Sequence, residues 1–569
     1  MSVQQLYEKW SQQSLPEYLA EELATIASNE QEMEERFYRY IPFGTAGMRG
    51  VLGAGTNRMN IYTIRRVSEG LARYVIANGE LAKIRGVVIA YDTRHFSYEF
   101  ACETARVLGT HGIQTYIYKE ARPTPQLSFT VRKLNAYAGV MITASHNPKE
   151  YNGFKMFGED GAQLTPQLAN EITVYMSKID DIFSIKAINI EVLEEQGLLT
   201  WLGADLDEAY VEQLLTLKEQ HEMALDMKLV YTPIHGAGLV PVRESLRAFG
   251  FRKVVIVEQQ AVQDGSFPTV NYPNPEEEAA FTLAMELGQQ IGAKLLLATD
   301  PDADRLGVAV WNGIAYKLLT GNQLGALLLY YLLATKQQNG TLPSDGIIVK
   351  TVVTAELGVK IAESFGIATE NTLTGFKYIA EKIAQFEATG EQTFIFGYEE
   401  SYGYLIETFV RDKDAVQIAL KVAEMTAFYA MQGYTLLDQL EYLYKKFGYY
   451  KEEVLSKQFE GKNGQAEMGI MLQRLREIMP KEIGGKSVKC VEDYLVGKAT
   501  FRDGMVVTLT LPRENVLKFI LEDDSWIAIR PSGTEPKCKF YIGVVGETNE
   551  LVQQKFEMVK QSVLLIVKQ

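Results

Sequence analysis

AGVMITASHNP, residues 138–148, is an apolar run that stops abruptly at a serine, a histidine and an Asn-Pro turn. A run this short and this apolar reads as a strand buried on both faces, and such strands belong to parallel-rich sheets with helices on either side. The same design recurs as GVVIAYDTR (86–94), KLVYTPIHGAG (228–238), KLLLATDPDADR (294–305), GIIVKTVVT (346–354) and TFIFGYEESYG (393–403). Amphipathic helical stretches usually follow these runs, so the expected class is α/β, with several such domains in series. No short fixed period links the runs, which excludes a solenoid. From about residue 440 the pattern changes to alternating strands mixed with helices, as in MVVTLTLPRENVLKFIL and SWIAIRPSGTEPKCKFYIGVV, and this reads as a separate α+β domain. The expected domains are 1–200, 201–315, 316–438 and 439–569.

The totals agree with several soluble domains. The chain has 569 residues, 47% hydrophobic and 23% charged, with a formal net charge of −15. That charge excludes a general nucleic-acid binder, which needs a basic surface to displace counterions, but a locally basic cleft for a small anion remains compatible with it. Three widely spaced cysteines, Cys102, Cys490 and Cys538, offer neither a disulfide framework nor a zinc motif. The beginning reads as a helix rather than a signal peptide, and the longest apolar run, LGALLLYYLLA (324–334), is too short to span a bilayer. The expectation is a cytoplasmic protein without membrane or nucleic-acid partners. The sequence does not separate a monomer from a dimer.

In α/β sheets, ligands bind beyond the carboxyl ends of the strands, so the polar clusters are where chemistry is sought. Ser145 has no GxSxG surroundings, which disfavours a hydrolase nucleophile. His146 is its direct neighbour, and adjacent side chains on extended chain diverge, so the expectation is that it serves poorly as a base for Ser145. A serine that carries a phosphoryl group fits better, with Lys155 supplying charge. In DPDADR, Asp300, Asp302 and Asp304 alternate and can converge on one cation from an extended or gently curved loop. An EF-hand is excluded, because its sixth position is Arg305 and its twelfth Trp311. Three carboxylates without further protein oxygens suit Mg²⁺, which completes its shell with water and phosphate.

RPSGTEPK (530–537) has the composition of a phosphate cradle. Arg530 offers a planar donor fork, Ser532 and Thr534 offer hydroxyls, and Gly533 lets backbone amides approach an anion. In GYEESYG, Glu399 and Ser401 stand two apart after a strand and would point to one side, where they can bind vicinal sugar hydroxyls. FGTAGMRG (43–50) is glycine-rich and ends near Arg49, but lacks dinucleotide-binding spacing.

TASHNP, DPDADR, GYEES and RPSGTEPK occur in the order found in the α-D-phosphohexomutase superfamily, which this chain resembles from about residue 40 onward. The likeness is greatest to the long phosphoglucomutases that group with phosphopentomutases. The resemblance implies four domains around a central cleft, three of related mixed α/β sandwich form and a C-terminal α+β domain, each giving one loop. It implies Ser145 as the phosphoserine, with its phosphate and Asp300, Asp302 and Asp304 holding Mg²⁺, and Lys377 beside the reacting hydroxyl. Arg49, His146, Lys155 and Arg305 match positions near the reacting phosphate. Glu399 and Ser401 would orient the sugar, and Arg530, Ser532, Gly533 and Thr534 would hold the phosphate that is not reacting. In the family's sugar loop a glycine usually precedes the glutamate, whereas Tyr398 stands there in this sequence. The implied activity interconverts glucose 1-phosphate and glucose 6-phosphate through glucose 1,6-bisphosphate. A phosphopentomutase or phosphomannomutase using the same mechanism is the alternative, and a non-catalytic sugar-phosphate sensor is disfavoured by the intact serine and aspartates.

Overall fold

The computed structural model describes residues 2–44, 47–220, 222–459, 464–532 and 537–568. The chain forms two compact units. The first comprises Met1–Gly321, Phe376–Gly397 and Ser401–Gly433, and the second Asn322–Gly375, Tyr398–Glu400 and Tyr434–Gln569.

The first unit holds two sheets. One contains β1 (Phe43–Gly44), β2 (Gly47–Val51), β3 (Val87–Tyr91), β4 (Thr115–Tyr118), β5 (Ala138–Ile142), β6 (Tyr151–Phe157) and β7 (Leu199–Leu202), in the order β1-β2-β6-β5-β3-β4-β7. Every residue of β3 and β5 is buried. This is why both read as uninterrupted Val/Ile/Ala/Met runs: a strand covered on both faces has no solvent side to make polar. β3 pairs in parallel with β4 and β5, whereas β6 returns antiparallel beside β5 and β2. The sheet is therefore mixed, and the hairpin between β5 and β6 carries TASHNP. A Cβ at Gly153 in β6 would meet the carbonyl oxygens of Thr143 at 2.5 Å and Met48 at 2.8 Å, so this close passage requires glycine.

The second sheet has the order β12-β11-β10-β8-β9, from β8 (Leu229–Thr232), β9 (Val254–Ile256), β10 (Leu295–Thr299), β11 (Leu306–Trp311) and β12 (Tyr316–Leu318). β8, β9 and β10 run parallel, and β11 folds back antiparallel on β10, with Thr299 opposite Leu306. DPDADR is the connection between those two strands. At the amino end, helices Val3–Ser11, Glu17–Ile26 and Glu30–Phe37 enclose their own core, in which Trp10 (1% exposed) packs edge-on against Phe37, Tyr62 and Phe183.

In the second unit, β13 (Gly346–Thr351) and β14 (Ala368–Thr372) pair in parallel. β15 (Thr393–Tyr398) and β16 (Tyr404–Leu405), which belong to the first unit except for Tyr398, flank the Glu-Ser loop. The rest of the second unit is one antiparallel sheet, in the order β17-β24-β23-β22-β19-β20-β21 with β18 beside β19. Its strands are β17 (Tyr449–Gln458), β18 (Glu482–Ile483), β19 (Lys486–Asp493), β20 (Lys498–Phe501), β21 (Val506–Thr508), β22 (Leu517–Leu521), β23 (Trp526–Pro531) and β24 (Lys537–Gly546). Helices Gly464–Glu477 and Asn549–Lys568 accompany it, which is the α+β character expected of the C-terminal part. The run at 324–334 lies inside helix Gly321–Gln338, and among the described residues no helix is long and apolar enough to cross a membrane.

Helix Ala415–Met431 of the first unit begins at a buried N-cap. Asp414 accepts from the amides of Val416 (2.8 Å) and Gln417 (3.1 Å), and the Tyr210 hydroxyl donates to its other oxygen at 2.7 Å. Burial outweighs these donors and pushes the carboxyl from 3.8 up to about 6. The folded chain thus holds this proton more tightly than the unfolded chain does. The stability gained is complete below the unfolded value and is lost as pH rises through about 6. The shift corresponds to on the order of 3 kcal/mol. Asp414→Asn keeps a capping oxygen but cannot titrate, so its melting temperature should vary less with pH between about 4 and 7 than that of the parent. Parallel melting curves across that range would contradict this.

Candidate active site

Two loops of the first unit meet. At the end of β5, the Thr143 hydroxyl accepts from the Ser145 amide at 2.8 Å, and Ser145 takes the left-handed conformation with φ +52°. That turn aims a 5%-exposed hydroxyl at the aspartate loop, where Ser145 Oγ donates to Asp300 Oδ2 at 2.8 Å. The same turn brings His146 Nδ1 to 3.1 Å from Oγ, so the two side chains do not diverge as they would on extended chain. With the hydroxyl proton directed to Asp300, Oγ can only accept from His146, which places a proton on Nδ1. His146 is a donor to this oxygen in that arrangement. Lys155 enters from β6, where it lies opposite Met141.

The aspartate loop is a tight turn rather than an extended segment. Ala303 has φ +45°, its amide donates to the Asp300 carbonyl at 2.9 Å, and the amides of Asp304 and Arg305 donate to Asp300 Oδ1 at 3.2 and 3.1 Å. Asp300, Asp302 and Asp304 are at most 1% exposed, and one oxygen from each lies within 4.8 Å of the others. Asp302 Oδ1 and Asp304 Oδ1 are buried without a hydrogen-bond partner. Buried carboxylate oxygens left in this state are costly unless an ion takes them up, so the donor set fits a divalent metal of the hard, oxygen-seeking kind.

Cations partly offset the three acids. Lys155 Nζ is 2.7 Å from Asp302 and 3.4 Å from Asp304, Lys413 Nζ is 2.9 Å from Asp304, and Arg305 Nε is 3.8 Å from Asp304. Burial pushes Asp300 well above the carboxylate range, reinforced by the charges of Asp302 and Asp304. Burial acts the same way on Asp304, but there Lys413, Lys155 and Arg305 together prevail and hold it below its usual range. Lys155 is desolvated too, and Asp302 and Asp304 more than restore its proton affinity. One carboxyl is thus short of positive charge, which a divalent cation would supply.

Gly236, in the loop after β8, braces the aspartate loop. A Cβ there would meet Pro301 Cα at 2.5 Å and the Pro301 oxygen at 2.8 Å, and the neighbouring Ala237 amide donates to that oxygen at 2.8 Å. Gly236→Ala should displace Pro301 and weaken metal binding about tenfold or more, the usual effect of disturbing groups that orient ligands. Titrating divalent cation against activity or melting temperature checks this; an unchanged midpoint would contradict it.

The remaining candidates lie apart in the chain. Arg49 donates to Asn147 Oδ1 at 2.9 Å, on the serine loop itself. Arg305 also donates to Glu276 at 2.7 Å. Lys377 stands in the first turn of helix Phe376–Thr389, with its Nζ 5.0 Å from the centre of the Tyr378 ring. Glu399 (5% exposed) falls in the second unit and Ser401 in the first. A turn follows β15 and Tyr402 has φ +64°, so strand alternation does not set the directions of Glu399 and Ser401. Glu400 accepts from the Thr351 and Thr354 hydroxyls, both at 3.3 Å. Arg530, in β23, has its Nε 3.5 Å from Glu514, and the Ser532 amide donates to the Lys537 carbonyl at 2.7 Å. Gly533 and Thr534 lie outside the described residues.

Against known proteins, the descriptions "Phosphoglucomutase/phosphomannomutase, alpha/beta/alpha domain" I, II and III match residues 41–182, 208–313 and 320–447, and the C-terminal domain of the same family matches 488–561. The phosphoglucomutase of Staphylococcus haemolyticus is 39% identical over 529 residues, covering 92% of this chain and 93% of that protein. The chain belongs to the phosphoglucomutase/phosphomannomutase family. The phosphoglucomutase of Staphylococcus aureus is 38% identical over 527 residues, covering 92% and 93%. Two solved structures share the fold at lower identity. A family protein from Burkholderia thailandensis has a TM-score of 0.67 at 18% identity (92% of this chain, 97% of that one). Parafusin from Paramecium, a phosphoglucomutase in its open form, has 0.67 at 16% (92% and 94%). The enzyme is thus a phosphohexomutase, an isomerase with four family domains.

Two residues at this cluster escaped the reading of the sequence. Thr124 begins helix Thr124–Lys133, and its hydroxyl donates to Asp302 Oδ2 at 2.8 Å while its amide donates to the Asp302 carbonyl at 2.9 Å. Nothing local in RPTPQ signals a partner 178 residues away. Lys413 had a visible signal: RDKD (411–414) is a run of four charges directly before the apolar AVQIAL, and all four prove to be buried. Charges of that density without solvent need partners of their own.

Proposed function

We propose that the enzyme is a phosphoglucomutase, interconverting glucose 1-phosphate and glucose 6-phosphate by way of glucose 1,6-bisphosphate. The observation that carries this reading is the Ser145 hydroxyl 2.8 Å from Asp300, in a cluster whose two other aspartates each keep a buried oxygen without a hydrogen bond. A serine that bore only a structural hydrogen bond would not need three acids beside it. The relatives named phosphoglucomutase support the hexose assignment.

Phosphorylated Ser145 gives its phosphoryl group to the free hydroxyl of a sugar monophosphate. The P–O bond to serine breaks, a P–O bond to the sugar forms, and the hydroxyl proton passes to a base of the site, for which Lys377 is proposed. The bisphosphate then turns round and returns its other phosphoryl group to Ser145. His146, Lys155, Lys413 and Arg305 set the charge around the transferring oxygens, and Arg49 steadies the loop through Asn147. Asp300, Asp302 and Asp304 would hold Mg²⁺, which when bound supplies charge neutralisation to the phosphoryl group. Glu399 and Ser401 are proposed to bind sugar hydroxyls, and Arg530, Ser532, Gly533 and Thr534 the phosphate that is not reacting. Segments 1–200, 201–315, 316–438 and 439–569 would each contribute one of these loops. The cytoplasm is the proposed compartment, in keeping with three free cysteines.

Purified enzyme with Mg²⁺ and catalytic glucose 1,6-bisphosphate should convert glucose 1-phosphate faster than mannose 1-phosphate or ribose 1-phosphate in coupled assays. Faster turnover of the pentose or mannose phosphate would transfer the assignment to a phosphopentomutase or phosphomannomutase. No turnover of any of them, with no phosphate gained at Ser145 in an intact-mass measurement, would leave a sugar-phosphate sensor.

A further inference from the structure

Ser145 is held in a left-handed backbone conformation that costs a non-glycine residue about 1 kcal/mol or more, and such strain persists only where the surroundings over-determine it. We propose that Arg94 is what determines it: the positioning residue that sets Ser145 Oγ for phosphoryl transfer. The inference rests on the phosphoserine reading above.

The Arg94 side chain is wholly buried. One guanidinium nitrogen donates to the carbonyls of Ser145 and Asn147, both at 2.5 Å, and the other to those of Pro148 at 2.8 Å and Tyr151 at 3.1 Å. A single planar fork thus gathers four carbonyls that span the loop between β5 and β6. Its charge is balanced by Asp92, whose Oδ2 lies 3.3 Å from Nε. Asp92 also reaches the loop independently, accepting from the Thr143 hydroxyl at 2.6 Å, and that hydroxyl accepts from the Ser145 amide.

The clamp is fixed from the opposite side as well. The Phe267 ring lies 5.0 Å from the guanidinium carbon. It comes from a segment pressed onto the Arg94 backbone, since a Cβ at Gly265 would meet the His95 amide nitrogen at 2.4 Å, and His95 Nε2 lies 2.9 Å from Ser266 Oγ. The hydrogen bonds of the Arg94 side chain go to backbone carbonyls of the serine loop and not to the Ser145 hydroxyl or to Asp300, Asp302 and Asp304, whose charges it meets only at longer range, so it is a positioning residue and not a catalytic one. Lysine cannot replace it, because an ammonium offers three donors around a point where four carbonyls need a planar fork.

Arg94→Lys should lower kcat about 100-fold, the scale of a misplacement near 1 Å. KM for glucose 1-phosphate should stay within about threefold, because the ground-state grip on the sugar phosphate is proposed to lie elsewhere. Phosphoryl uptake by Ser145 from glucose 1,6-bisphosphate, followed by intact mass, should slow in parallel. Phe267→Leu removes only the ring over the guanidinium and should lower kcat about tenfold, again at steady KM. A kcat within about threefold of the parent in Arg94→Lys, or a fall in kcat matched by an equal rise in KM, would overturn the proposal. If Arg94→Lys fails to fold, an unchanged kcat in Phe267→Leu would overturn it as well. Absence of phosphoryl uptake by the parent enzyme would instead sink the phosphoserine reading and this inference with it.

Discussion

Alanine in place of Ser145 should lower mutase turnover by about 10⁴-fold or more, because both half-reactions of the proposed mechanism need the same oxygen as donor or acceptor. Among the described residues the neighbouring hydroxyls have structural tasks: Thr143 is bonded to the Asp92 carboxylate and Thr124 to Asp302. The fold should survive. Alanine and serine bear the same cost at φ +52°, and the lost hydrogen bond to Asp300 amounts to about 1 kcal/mol. A coupled assay beside a melting curve separates the two effects. A variant that melts normally and still turns over within a hundredth of the parent rate would remove Ser145 from the mechanism.

The parts of this molecule that were legible in the sequence are those where one physical requirement fixes the residue type. Strands buried on both faces are apolar over most of their length, so β3, β5, β8 and β10 were visible as runs, each ending where the loop chemistry begins, and β13 was visible although its run closes on the buried Lys350. Three aspartates at alternate positions were legible for the same reason, since carboxylates so crowded after an apolar strand need a cation. What stayed hidden depends on backbone turns and distant partners. The reach of His146 to Ser145 follows from one left-handed residue, and left-handed Ala303 closes the aspartate loop that alternation alone made look extended. The rule of two does not apply to Glu399 and Ser401, because β15 ends at Tyr398 and the chain turns between them. Thr124 and Arg94 serve loops far along the chain, and no local pattern records that service.

The second large effect concerns the charge of the aspartate cluster. Exhaustive chelation should abolish turnover, and Mg²⁺ should restore it and raise the melting temperature, by the equivalent of about 2.7 kcal/mol at a hundredfold excess over Kd. The sharper form of this prediction is a reversal of sign. Without metal, Asp300 is a buried carboxyl beside two like charges, and its proton affinity is raised well above the ordinary range. Folding therefore takes up a proton here, and the metal-free enzyme loses stability as pH climbs from the unfolded carboxylate value toward neutrality. Asp300→Asn removes that charge while keeping an oxygen for the amides of Asp304 and Arg305 and turning an amide NH2 toward Ser145 Oγ, which can accept from it, so at pH 8 the chelated variant should melt higher than the chelated parent, by about 1 kcal/mol or more. In Mg²⁺ the order inverts: the parent gains the ion's binding energy, and the variant, with a ligand missing, gains little and turns over about 10²-fold more slowly or worse. Crossing melting curves of this kind require that the carboxyl destabilises the empty cluster and binds the ion in the filled one. A variant less stable than its parent under chelation, or one whose melting still rises with Mg²⁺ as the parent's does, would show that Asp300 is not a ligand and that the cluster is an ordinary buried salt-bridge network with Lys155 and Lys413.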